Sequence, residues 1–176
     1  MKKLKRNNRK GILFFVTGLS GSGKTSIAKK IKKKITKFYG PTLLVSGDNI
    51  RKIVGFYKYT YDERLSLSKK VCKFIKFITN QKINVIFASV GMMHKTRKWY
   101  KNSVDNYIEI YIKVDLNKII KLKKKKIYQN KKSGDIVGIA IKPEFPKKPN
   151  IIIRNDFKKS VDDLASNLLK KVIKII

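Results

Sequence analysis

Residues 18–25 read Gly-Leu-Ser-Gly-Ser-Gly-Lys-Thr and fill every fixed position of the phosphate-binding pattern G-x-x-x-x-G-K-[ST]. Such a loop needs a strand before it and a helix behind it, which constrains the fold more than any other stretch. Both flanks fit. Ile12–Thr17 is apolar and rich in strand formers, and Ser26–Ile35 carries apolar residues at 27, 28, 31 and 35, a helical spacing. Glycines let the backbone wrap a phosphate, and the N–H groups at the helix start point into the anion. Gly18, Ser20, Gly21, Ser22, Gly23, Lys24, Thr25 and Ser26 are therefore the candidate contacts to a nucleoside triphosphate. Lys24 is expected to reach the β- and γ-phosphates and to act in catalysis, and the Thr25 hydroxyl to ligate Mg²⁺.

The rest of the chain reads as strands alternating with helices. Helix 25–38 is followed by a turn at Gly40-Pro41 and a buried strand, 42–46. Residues 47–60 read as a loop with a short helix. A helix is expected from about Asp62 to Asn80, with Asp62 as its cap or first-turn carboxylate. Strands at 83–88 and 107–114 flank a helix over 94–103; a helix at 115–124, a strand at 151–153 and an amphipathic helix over 157–175 complete the pattern. Alternation of this kind implies an α/β fold: a parallel five-stranded sheet with helices on both faces, in three layers. The length of 176 residues suits a single domain. Two segments stand apart, a basic N-terminal arm over 1–10 and a lysine-rich, Pro-punctuated stretch over 125–149 without periodicity. Loops this long in compact domains are lids or inert connections, and 125–149 is read as a lid.

The net charge of +33 invites a nucleic-acid reading. However, 38 of the 44 basic residues are lysine, spread along the whole chain, beside 25 isoleucines and 12 asparagines. That pattern matches a compositionally biased, solvated surface, so no specific nucleic-acid partner is expected. A basic nucleic-acid-binding ATPase stays open as the rival resting on charge alone. The apolar run behind the basic arm is too short for a signal peptide or a membrane span, and the lone Cys72 sits in an apolar helical stretch. The expectation is a cytoplasmic protein with no membrane association; a homodimer is left open.

A phosphate loop alone does not choose a reaction. No Asn-Lys-x-Asp guanine-reading segment is present, and the chain is short for a motor ATPase, so ATP and a small-molecule acceptor are the expected substrates. A second polar cluster, Ser46-Gly-Asp-Asn-Ile-Arg51, stands at the carboxyl end of the second strand, where ligands sit in open α/β sheets. Asp48 is read there as the carboxylate that orients an acceptor hydroxyl and takes its proton, with a helix N-cap as the alternative.

These motifs, with Tyr59-Thr-x-x-Glu-Arg64 and Tyr128-x-x-x-x-x-Gly-Asp-Ile136, resemble the adenylylsulfate kinase family over about residues 12–155. The resemblance implies transfer of the γ-phosphoryl group of ATP to the ribose 3′-hydroxyl of a nucleotide with a modified 5′-phosphate. It implies that Asp48 faces the acceptor, that Arg51 and Arg64 grip the 5′ anionic group, and that Tyr59 stacks on the base. Either arginine could instead be a surface residue.

Several departures from the family pattern fall on the acceptor side or near the lid. Ser46 stands for an Asp, Leu67 for an Asn, and Val90-Gly-Met-Met-His94 for I-S-P-[FY]-R, while Leu122-Lys-Lys-Lys-Lys126 replaces R-D-P-K-G. The missing first Asp keeps a non-catalytic nucleotide-binding module open as a second rival. Residues 88–99, 137–141 and 146–149 resemble a branch of the family encoded with bacterial surface-polysaccharide genes, which implies CDP-phosphoramidate as acceptor, with adenylylsulfate as the alternative. On that resemblance His94 takes the place of an acceptor-binding arginine; the alternative is a solvent-facing helix start. Trp99 is read as core or lid packing rather than base stacking, and Met92-Met93 as a pocket wall or core.

Overall fold

The computed structural model describes residues 4, 6–56, 60–122 and 136–176. Its elements run β1 (Ile12–Thr17), α1 (Lys24–Tyr39), β2 (Thr42–Ser46), α2 (Gly47–Ile53), α3 (Tyr61–Asn80) and β3 (Asn84–Ser89). They continue as α4 (His94–Ser103), β4 (Asn106–Lys113), α5 (Leu116–Lys121), β5 (Ile151–Arg154) and α6 (Val161–Ile175). The five strands form one parallel sheet in the order β2-β3-β1-β4-β5. The α/β architecture expected from the alternation is present.

Strand β1 lies at the centre and all six of its residues are buried, because helices cover both faces. Ile12, Phe14 and Val16 point into a core closed by α1 and α6, where Ile27, Ile31, Leu168 and Val172 pack. Leu13 and Phe15 point the other way, into a core closed by α3 and α4 with Val71, Ile75 and Tyr100. Alternation on β1 thus divides the molecule into three layers. On α1 the lysines at 29, 30, 32, 33, 34 and 37 all face solvent while Ile27, Ile31 and Ile35 face the sheet, as a solvated basic surface requires.

Strand ends shift by a residue, and three helix boundaries differ from the sequence reading. Thr60, not Asp62, caps α3, its hydroxyl accepting from the Glu63 N–H; Asp62 supplies first-turn charge. Helix α6 begins at Val161 rather than 157, because Ser160 and Asp163 form a capping box and Phe157 turns the chain at φ +66°. Helix α5 ends at Lys121, with Asp115 as its cap; residues 123 and 124 lie outside the described residues. Among the described residues no helix is long and apolar enough to cross a membrane.

Candidate active site

The carboxyl ends of β1, β2 and β3 open into one cavity of about 780 Å³. Ser20, Gly21, Gly23, Lys24, Thr25 and Ser26 line one side of it. Gly23 caps α1 in the left-handed region at φ +92°, with no side-chain hydrogen bond to the helix N-terminus. A glycine accepts that conformation without Cβ strain, and the first residues of the 16-residue helix, Lys24, Thr25 and Ser26, line the cavity. Lys24 is buried and its Nζ donates to the Leu19 carbonyl at 2.7 Å, which also accepts from the Ser22 N–H at 3.1 Å.

Gly18 and Ser22 belong to the same loop but do not line the cavity. The Ser22 hydroxyl is buried, with no hydrogen-bond partner among the described residues. Its carbonyl accepts from Asn155 Nδ2 at 3.0 Å. Asn155, at the end of β5, is itself fixed by its N–H to the Lys113 carbonyl at 3.0 Å and by accepting from the Phe157 N–H at 2.9 Å. The phosphate loop is therefore braced from the far edge of the sheet by a residue the sequence pattern did not point to. An asparagine ending a strand beside the loop's sheet edge is the available, weak, sequence signal.

The opposite side of the cavity carries Gly47, Asp48, Arg51 and Lys52 from α2, with Arg64 and Ser68 from α3. Ser46 is the N-cap of α2, its hydroxyl accepting from the Asn49 N–H at 3.2 Å. The alternative of Asp48 as cap is thereby corrected: Asp48 occupies the first turn, exposed, facing the cavity. Gly47 is packed so closely on β3 that a Cβ there would lie 3.0 Å from Ser89 Oγ. Tyr59 and the Tyr128–Asp135 part of the fourth motif lie outside the described residues.

Residues 88–93, together with Thr96, form the third wall. Met92 and Met93 are buried and line the cavity at once. His94 is not part of the lining: it is exposed at the start of α4, its ring Nδ1 2.5 Å from Arg97 Nη2 and its N–H donating to the Glu144 carboxylate. Leu67 points away from the cavity into the apolar core beneath α3. Trp99 packs against that same core, with Lys95 over its ring, as the packing reading expected.

Behind this wall stands a buried ion pair missing from the sequence reading. Arg97 Nε lies 3.1 Å from Glu109 Oε1 on β4. Burial pushes the Glu109 carboxyl upward, against the pull of Arg97 and Lys101, and lowers Arg97, which Glu109 opposes. Of the stretch expected as a lid, 136–149 is described; Ile136 and Val137 are buried on the cavity, and Phe145 meets Tyr111 at 6.2 Å between ring centroids.

Residues 10–154 match the family model for adenylylsulphate kinase. The cytidine diphosphoramidate kinase of Campylobacter jejuni is 29% identical over 91% of this chain and 95% of its own length. The adenylyl-sulfate kinase of Halothermothrix orenii is 26% identical over 93% and 90%. In fold, the chain superposes on the Mycobacterium tuberculosis adenylylsulphate kinase complex with AMPPNP and its acceptor at a TM-score of 0.80, covering 93% and 98% of the two chains at 21% identity. Shikimate kinase from Acinetobacter baumannii is more distant, with a TM-score of 0.65 at 15% identity, covering 93% and 94%.

Proposed function

The chain belongs to the adenylylsulphate kinase family and is an ATP-dependent nucleotide kinase, and from that premise we propose that it phosphorylates the ribose 3′-hydroxyl of a nucleotide carrying a modified 5′-phosphate. One observation carries the proposal: a single cavity holds the phosphate loop on one side and Asp48, Arg51 and Arg64 on the other. A donor phosphate at the start of α1 and an acceptor hydroxyl at Asp48 share that space, and phosphoryl transfer is mainly positioning and charge neutralisation.

In this reading Lys24 neutralises charge on the transferring group, and Asp48 orients the hydroxyl and accepts its proton. Arg51 and Arg64 present planar forks to the acceptor's 5′ anionic group. The residues present fit Mg²⁺: Thr25, which carries a hydroxyl, lines the cavity, and Mg²⁺ is ordinarily held by one or two protein oxygens plus phosphates rather than a protein cage. Bound Mg²⁺ would supply neutralisation of the phosphate oxygens.

CDP-phosphoramidate is the proposed acceptor, in modification of a capsular polysaccharide in the cytoplasm. What supports it is the third wall, Val90-Gly-Met-Met93, which departs from the family's I-S-P-[FY] segment where the acceptor would lie, alongside the similarity to the Campylobacter jejuni enzyme. An ADP-release assay with CDP-phosphoramidate, adenylylsulfate, CDP and ADP as acceptors tests it. Losing one charge-assisted contact to the wrong acceptor corresponds to about 10- to 150-fold, so kcat/KM for adenylylsulfate is expected at least about tenfold below that for CDP-phosphoramidate. A preference for adenylylsulfate over every cytidine compound would make 3′-phosphoadenylylsulfate the product instead.

A further inference from the structure

We propose that Arg97 is a positioning residue for acceptor recognition, fixing the Val90–Met93 wall from behind. Its functional consequence rests on the kinase reading above; its geometry does not. Arg97 is 5% exposed and absent from the cavity lining, so it acts through other residues. Nη1 donates to the Gly91 carbonyl at 2.7 Å, Nη2 donates to His94 Nδ1 at 2.5 Å, and Nε pairs with Glu109. A guanidinium is always a donor, so His94 accepts through Nδ1 and carries its proton on Nε2. One side chain thus joins the wall, the start of α4 and strand β4.

Three successive carbonyls of the wall are each held by a different part of the chain. Val90 accepts from Thr17 Oγ1 at 2.5 Å, Gly91 from Arg97, and Met92 from the Glu144 N–H at 3.0 Å. Only the Arg97 bond is charge-assisted, the stronger kind. Gly91 sits at φ +50° with its would-be Cβ 2.5 Å from Phe15 Cζ, so the wall cannot settle closer to the sheet. Its remaining freedom is outward or sideways, the movement that the Gly91–Arg97 bond opposes. A buried ion pair is weak evidence for stability, since apolar residues of similar volume serve as well. Here its geometric product is the position of a wall against which the acceptor must be aligned, and misplacement by about 1 Å can cost 10²-fold.

The test uses Arg97→Met, Arg97→Lys and Glu109→Gln in the full chain, with two readouts. Hydrogen exchange at the amides of residues 90–96 should rise about tenfold or more in Arg97→Met, the range of one charged hydrogen bond, with residues 18–26 unchanged. In the acceptor assay, kcat/KM for the nucleotide acceptor should fall about 10- to 100-fold while the KM for ATP holds. Arg97→Lys, which keeps the charge and a donor, should recover part of both effects, and Glu109→Gln should be intermediate. Wild-type exchange at 90–96, or a parallel rise in both KM values, overturns the proposal. If wild type turns over no acceptor, the kinase reading has failed and the exchange measurement alone decides the role of Arg97. Should Arg97→Met not fold, the lysine and Glu109→Gln variants carry the same comparison.

Discussion

The two sides of the cavity are built by different rules. On the donor side, eight consecutive residues dictate their own shape, with Gly23 starting α1 and Lys24 folded back on the Leu19 carbonyl. On the acceptor side, α2, α3, the β3–α4 connection and the 136–149 segment each contribute a few residues, and Arg97, Glu109 and Glu144 tie the β3–α4 connection to β4 and the 136–149 segment. Local sequence specifies most of the first, with Asn155 as a distant brace; the second depends more heavily on tertiary packing. The difference teaches that a family pattern can be intact where the chemistry is shared and altered where the acceptor is chosen. The Gly18 N–H reaches the Val90 carbonyl, so the two sides meet behind the cavity.

Breaking the donor side should have the largest effect. Lys24→Ala removes the charge placed to follow the transferring phosphoryl group, and kcat should fall by about 10³-fold with every acceptor. Near-normal ATP-dependent turnover would remove the assignment of this loop. Asp48→Asn should lower kcat about 10²-fold, as loss of a general base typically does, with ATP affinity by calorimetry preserved. Should ATP affinity collapse instead, Asp48 belongs to the donor side and the division drawn here is wrong.

A smaller effect sharpens the donor side further. Asn155→Ala deletes the brace under Ser22 while leaving every cavity-lining residue in place. One neutral hydrogen bond contributes about 0.5–1.5 kcal/mol, so ATP affinity should weaken roughly 2- to 12-fold. Acceptor KM, measured at saturating ATP, should stay at the wild-type value. An equal rise in both would mean that Asn155 supports the whole sheet edge rather than the loop.

How far the sequence could be read follows the sequence range of each contact, on both sides of the cavity. The phosphate loop, β1, the helix over 94–103 and the parallel five-stranded sheet were legible because apolar periodicity and glycine spacing act over short range. Asp48, Arg51 and Arg64 were legible through their motifs, and the structure brings them to one cavity. Arg97 and Glu109, by contrast, are 12 positions apart and Ser22 and Asn155 are 133 apart. No periodicity marks such pairs, and each residue alone reads as an ordinary polar position. His94, matched by resemblance to an acceptor-binding arginine with a solvent-facing helix start as the alternative, is exposed at the start of α4 with its ring against Arg97.

Leu67 gives the smallest functional effect and the clearest test of the boundary. It stands where the family pattern has an asparagine, which by sequence makes it a candidate determinant of acceptor choice. In the structure it is 6% exposed and packs in the core under α3, while its neighbour Ser68 is the residue on the cavity wall. Leu67→Asn therefore places an amide among apolar side chains without a designed partner, a cost of about 1–3 kcal/mol. The variant should melt several degrees lower, since about 1 kcal/mol shifts a domain of this size by 2–4 °C. The ratio of kcat/KM between CDP-phosphoramidate and adenylylsulfate should not move. If the ratio shifts toward adenylylsulfate with little loss of stability, α3 turns this position toward the acceptor when a nucleotide binds. The acceptor side would then be a surface assembled on binding, in contrast to the preformed loop opposite.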